Sequence, residues 1–182
     1  MIENLERFLE EESGDKKVLI LTGTFDPSHS GHVHCVESGL RAHENSLACV
    51  LANTWNPFKD LSGLDWNRRW ETISITFSEF LDEKFQKKVH LVGDMEIINS
   101  RAKFEGLIGR FKGRIIRLMG NDRGDLLESS DKLGVSTIVT DRSEVPISST
   151  LIRAGLEQGD TSQFEHFVSK RVLEAYRNPR KA

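Results

Sequence analysis

Two short runs of uninterrupted apolar residues constrain this chain most: Val18-Leu19-Ile20-Leu21 and Leu47-Ala48-Cys49-Val50-Leu51-Ala52. A strand with one face in water alternates apolar and polar residues, whereas a strand covered on both faces does not. Each run is too short for a buried helix, and Thr22-Gly23 bounds the first. Both are read as strands from the interior of a sheet. Further strands are expected at 89–92, 114–119 and 135–140.

Helical patterns fall between these strands. Ile2, Leu5, Phe8 and Leu9 share one face of a helix over 2–12, ended by Ser13-Gly14. The segment after Gly31 reads as helical through about Leu40. Ser62 and Asp65 have capping-box spacing, and Trp66, Trp70, Ile73, Phe77, Phe80 and Leu81 follow at mostly helical intervals. Residues 102–111 suit another helix. Two more are expected to close the chain, one from Ser149 and one from Phe164 to Tyr176. Strands alternating with helices favour an α/β fold, a parallel sheet with helices on both faces. No repeat or linker divides the 182 residues, so a single domain is expected over 1–182, with a helical extension at 1–16 and a C-terminal helix within 160–182. Ligands of such sheets bind beyond the carboxyl ends of the strands, which directs attention to the loops after Leu21, Ala52, Met119 and Thr140.

Composition excludes several classes. The net charge is −3 with 29% charged residues, unlike the basic balance of a dedicated nucleic-acid binder. The N-terminus is acidic without an apolar core, unlike a signal peptide, and no stretch is apolar for long enough to span a membrane. Cys35 and Cys49 lack CxxC spacing and suit small buried hydrophobes. A cytoplasmic protein is expected.

The loop after the first strand reads Gly23-Thr24-Phe25-Asp26-Pro27-Ser28-His29-Ser30-Gly31-His32. Gly23 and Gly31 let backbone approach a ligand without a Cβ in the way. The loop enters a helix, whose free N–H groups and dipole attract phosphate. His29 and His32 are three apart and fall on one face of a helical turn. Two imidazoles there can donate to oxygens that gain charge during a transfer. No carboxylate or cysteine cluster stands nearby with metal-ligand spacing, so no protein metal site is expected. Far down the chain, Ile147-Ser148-Ser149-Thr150-Leu151-Ile152-Arg153 opens another helix. Its hydroxyl residues are good caps, and Arg153 offers several donors to phosphate oxygens.

The first segment resembles the HxGH signature of the nucleotidylyltransferase superfamily, in the GTFDPxHxGH form of the nicotinate and nicotinamide mononucleotide adenylyltransferases. The second resembles that superfamily's ISSTxIR signature. The resemblance covers about residues 18–160 and implies a Rossmann-like sheet. It implies ATP contacts at Gly23, Thr24, Phe25, Gly31, His32, Ile147, Ser148, Ser149, Thr150 and Arg153, with Mg²⁺ carried on the triphosphate. His29, His32, Lys59 and Arg153 would serve the transfer. A pyridine mononucleotide would be the second substrate, near Asp26, Lys59, Arg68 or Arg69, Gly120 and Asp122.

Lys59 lies in Asn53-Thr54-Trp55-Asn56-Pro57-Phe58-Lys59, after the second strand. Asp94-Met95-Glu96-Ile97 resembles the family's acidic stretch, and Gly120-Asn121-Asp122 its Gly-x-Asp. The pyridine region departs from the family: Asn99-Ser100-Arg101-Ala102 stands where Ser-Tyr-Thr is usual, and the tryptophan beyond Gly-x-Asp is missing. Trp55, Trp66 or Trp70 would have to replace it. Phosphopantetheine as acceptor, and a nucleotide-binding homologue without catalysis, are the alternatives. His29, where the phosphopantetheine enzymes usually have threonine, and the Asp-x-Glu and Gly-x-Asp stretches favour the pyridine reading. A homo-oligomer stays open.

Overall fold

The structure, a computed structural model, describes residues 1–54, 66–121, 124–141 and 143–178. It holds five strands: β1 (Val18–Gly23), β2 (Leu47–Ala52), β3 (Val89–Val92), β4 (Ile115–Gly120) and β5 (Ser136–Thr140). All pair in parallel, in the order β3-β2-β1-β4-β5. The fold is α/β with a Rossmann-like sheet, as the alternating sequence requires. The described helices are α1 (Leu5–Arg7), α2 (Ser30–Ala42), α3 (Trp66–Phe80), α4 (Met95–Ile98), α5 (Arg101–Arg110), α6 (Gly124–Leu133), α7 (Ser149–Gln158) and α8 (Lys170–Arg177).

The chain divides into two compact units, each assembled from separated segments. One comprises Met1–Gly23, Cys35–Asn56 and Asp82–Asp141, and the other Thr24–His34, Pro57–Leu81 and Arg142–Ala182.

The first unit contains the sheet. Strand side chains alternate between faces, and β4 shows what covers each. Leu118 faces α2 at Gly39, where an added Cβ would lie 2.7 Å from Leu118 and 3.1 Å from Leu19. The neighbouring Arg117 points the other way. Its guanidinium donates to Ser130 Oγ of α6 at 3.1 Å and lies over the Phe104 ring of α5 at 5.8 Å. On that same face, in register through Ile20 and Cys49, His90 meets the Phe8 ring at 5.2 Å. Helices therefore cover both faces. β1 and β2, the continuous apolar runs, are buried along almost their whole length. β1 is also where the strand order reverses, with β2 on one side and β4 on the other.

Asp94, in the acidic stretch that resembles the family's, has a capping role. One carboxylate oxygen accepts from Glu96 N at 3.2 Å and Ile97 N at 3.3 Å, capping α4. The other accepts from Leu5 N at 2.9 Å, at the start of α1. Glu96 is exposed and pairs with Lys103 at 2.8 Å.

Local boundaries shift where capping chemistry competes with periodicity. After α1 the chain continues as a π-turn at Phe8–Glu12, though Ile2, Leu5, Phe8 and Leu9 are all buried as expected. The last helix begins at Lys170, not near Phe164. Ser169 caps it by accepting from Arg171 N, and Ser162–Phe164 forms a separate 3-10 turn. Cys35 and Cys49 are buried and form no disulfide. No helix among the described residues is long and apolar enough to cross a membrane.

The second unit packs around Ile75, Ile147, Ile152, Phe164, Val168, Val172 and Leu173. This core brings α3, α7 and α8 together, and the unit also contains the first signature from Thr24 onward and the whole of the second.

Candidate active site

The loop 24–30 turns sharply before α2 begins. Phe25 is buried, at φ 49°, a left-handed conformation that bulky residues rarely adopt. Such a conformation costs on the order of 1–3 kcal/mol and persists only where packing enforces it. Here the Phe25 ring lies 4.6 Å from the His32 ring. His32 in turn lies 3.9 Å from His29, with 31° between their planes. The His29 backbone N–H donates to His32 Nδ1 at 3.2 Å. An accepting Nδ1 carries no proton, so in the neutral ring Nε2 is the protonated nitrogen and the donor. His29 is buried and His32 half-buried.

Gly31 explains itself by what a side chain would meet. A Cβ there would lie 3.0 Å from His29 Cε1 and Nδ1, and 3.4 Å from Ile147 Cγ2. Any other residue would press on the imidazole that the turn sets in place.

The second signature opens α7. Ser148 is the N-cap, accepting from Leu151 N at 3.2 Å. The next hydroxyl, Ser149 Oγ, is buried and donates to Pro27 O at 2.9 Å. One turn on, Arg153 donates to the backbone oxygen of Asp26, and to Thr150 Oγ1 at 3.4 Å. Its guanidinium also stands 3.8 Å from Asp26 Oδ2. Two segments more than a hundred residues apart in sequence thus touch through Ser149 and Arg153.

Asp26, expected from the sequence to contact substrate, is fully buried. The Tyr176 hydroxyl of α8 donates to its Oδ1, and Arg153 stands at its Oδ2. Its carboxylate organises neighbouring groups and presents no surface to a ligand.

Arg68 and Arg69 are adjacent on α3 and diverge. Arg69 is buried, donates to Thr24 O at 2.6 Å and lies 5.6 Å from the Trp66 ring. Burial lowers the guanidinium from its usual value, while Asp26 and then Tyr176 oppose that shift. Arg68 donates to Asn178 O at 3.1 Å. Arg69 is the one set against the first signature. Two guanidinium groups and one carboxylate leave this cluster net positive, which suits an anionic ligand. Trp66 and Trp70 are half-buried, with rings 6.1 Å apart.

The structure therefore gathers Thr24, Phe25, Asp26, His29, Gly31, His32, Ile147, Ser149, Arg153 and Arg69. Gly23 ends β1 and Gly120 ends β4, both in the sheet unit. Beyond Gly120, Asn121 Nδ2 donates to Asp141 Oδ1 at 3.1 Å. Lys59, Trp55 and the Ser62–Asp65 cap lie outside the described residues, as does Asp122. Sequence reasoning missed Tyr176 as a site residue. Its one signal was its rarity, for it is the chain's single tyrosine.

The fold is similar to that of two solved adenylyltransferase structures. One protein, from Vibrio parahaemolyticus, is assigned as a nicotinate-nucleotide adenylyltransferase: TM-score 0.62 and 18% identity over 88% of this chain and 98% of the other. The second is the Plasmodium falciparum nicotinic acid mononucleotide adenylyltransferase complexed with NaAD: TM-score 0.65 and 15% identity over 88% of this chain and 94% of the other. At these identities the likeness is one of fold. No family model matches the chain, and no curated protein matches it in sequence.

Proposed function

We propose that this protein is an adenylyltransferase that moves AMP from ATP to nicotinate or nicotinamide mononucleotide and releases pyrophosphate. The observation that carries the reading is the union of the two signatures, with Ser149 Oγ bonded to Pro27 O at 2.9 Å and Arg153 bonded to Asp26. The fold of the two similar structures supports it, as does the retention of both imidazoles in the turn. Asp94 is occupied in capping α4 and the start of α1, so it contributes to the preference for a pyridine acceptor through the placing of the acidic stretch and not by direct contact. His29 and the fold likeness carry that preference.

The acceptor's phosphate is already ionised, so it attacks the α-phosphorus directly. The bond from that phosphorus to the bridging oxygen breaks, and pyrophosphate leaves. Catalysis is then positioning and charge stabilisation. His32, with Nδ1 occupied by a backbone donor, offers Nε2–H to the α-phosphate oxygens, and His29 holds its ring in place. Arg153 serves the β- and γ-phosphates, with Lys59 completing the charge. Among the described residues no three His, Cys, Asp or Glu side chains are grouped to hold a metal. A Mg²⁺ carried on the triphosphate would be held by phosphate and water oxygens. The cytoplasmic location expected from the sequence belongs with this reading.

The test is pyrophosphate release from ATP with nicotinate mononucleotide, nicotinamide mononucleotide and phosphopantetheine. We expect turnover with a pyridine mononucleotide and little with phosphopantetheine. The reverse preference would overturn the acceptor, and no release with any of the three would overturn the activity.

A further inference from the structure

Among the groups around the Asp26 carboxylate, which include the buried Arg69 guanidinium, Tyr176 and Arg153 engage it unevenly. Tyr176, from the last helix, takes Oδ1 through its hydroxyl. Arg153 bonds the Asp26 backbone oxygen and stands 3.8 Å from Oδ2, too far for a hydrogen bond. Arginine and carboxylate left to themselves favour a two-pronged pair, with both oxygens engaged by two N–H groups. With Oδ1 turned to the phenol, Asp26 cannot present both oxygens to Arg153. The carboxylate is fully buried, so water does not compete for these places.

We propose that Tyr176 is a positioning residue for the transfer: by holding one oxygen of Asp26 it prevents the closed Arg153–Asp26 pair and keeps Arg153 available to the triphosphate. The inference rests on the reading of the site as an ATP site. On this reading Tyr176 acts on the triphosphate through Asp26 and Arg153, and the Arg153→Ala background separates that route from one through Arg69, whose guanidinium Asp26 and Tyr176 also affect. Tyr176→Phe removes the hydroxyl and little else. The carboxylate then turns toward Arg153, and the guanidinium must leave a full ion pair before it can meet phosphate.

The experiment is calorimetry with ATP and with AMP on the wild type, Tyr176→Phe, Arg153→Ala and the double variant. We expect Tyr176→Phe to weaken ATP by about three- to tenfold, a modest coupling for residues sharing one partner, and to leave AMP unchanged. In the Arg153→Ala background the same substitution should cost ATP nothing further. Equal losses for ATP and AMP, or an undiminished loss in the Arg153→Ala background, would overturn the proposal in favour of a structural role.

A second measurement needs no substitution. Biosynthetic 3-fluorotyrosine labels position 176 alone, because the chain has one tyrosine. Its ¹⁹F resonance should move with ATP, as Arg153 leaves Asp26, and stay in place with AMP. A resonance indifferent to ATP, in a protein shown by calorimetry to bind it, would also overturn the proposal. A wild type that binds no ATP overturns the functional reading and this inference with it; binding without the coupling overturns this inference alone.

Discussion

Adding one methyl group at either of two helical glycines should shift stability in opposite directions. Gly155 lies in α7, the helix that carries Ser149 and Arg153. An ideal Cβ on Gly155 would fall 2.2 Å from Phe164 Cε2, 2.6 Å from Asp160 O and 3.1 Å from Phe164 Cζ. The close backbone oxygen cannot rotate aside as a flexible side chain would. Gly106 lies in α5, is exposed, and an added Cβ there meets nothing within 4 Å. Alanine is favoured over glycine inside a helix by about 0.8–1 kcal/mol, and that gain applies at both positions. At Gly106 it stands alone, so Gly106→Ala should raise Tm by about 2–4 °C for a chain of this size. At Gly155 it is opposed by overpacking of about 3 kcal/mol or more. The balance is a loss of about 2 kcal/mol or more, and a fall in Tm of about 4–8 °C on the same scale. Differential scanning calorimetry of the three proteins in one buffer reads both shifts. A Gly155→Ala protein as stable as the wild type would refute the close packing of α7 on the Ser162–Phe164 turn.

His32→Ala should lower kcat by about 10²–10³, the scale of losing one transition-state donor, while calorimetry shows a smaller change in ATP affinity; normal turnover would remove His32 from the mechanism. Burial at β3, aided by the nearby N-terminal charge, holds His90 below the usual histidine range. The unfolded chain therefore binds the extra proton first, so this contribution is complete above that range and is lost as pH falls through it. Urea midpoints between about pH 7.5 and 5 should fall more steeply for the wild type than for His90→Leu, and parallel curves would refute the assignment. Burial pushes the Cys49 thiol up, and Cys35 is also buried in the sheet unit. A thiol reagent should find neither until the protein unfolds, whereas rapid labelling in native buffer would contradict their placement.

The parallel sheet was legible because β1 and β2 are buried on both faces and their composition records it. β2 and β3 fall at their expected residues. Elsewhere local sequence underdetermined the outcome. Asp94 is acidic in a place where acids bind ligands, and it is equally suited to capping; the Leu5 N–H that decides the matter arrives from the other end of the unit. Helix α6, Gly124–Leu133, is not among the helices expected from the sequence, although its residues segregate by face about as well as those of α3. Among site residues, the two signatures were legible as motifs, since each combines a turn, a cap and a helix start within a short stretch. The choice between Arg68 and Arg69 was not, for neighbours on a helix differ only in which way the surroundings turn them. Nor was the Tyr176–Asp26 contact, which joins residues 150 apart and belongs to packing alone.

The unit that holds both signatures is drawn from three separated stretches, Thr24–His34, Pro57–Leu81 and Arg142–Ala182, and that arrangement sets an order of manufacture. A ribosome that has delivered the chain through Thr140 has delivered all five described strands and both imidazoles. It has not yet delivered the hydroxyl for Pro27, the arginine for Asp26 or the phenol that divides that carboxylate. The contacts that Ser149, Arg153 and Tyr176 make with the turn around Phe25 can form only after residues that follow the last described strand have been made. Contacts of such long sequence separation also slow folding in a free chain. During biogenesis all five described strands can be present before the two signature segments meet.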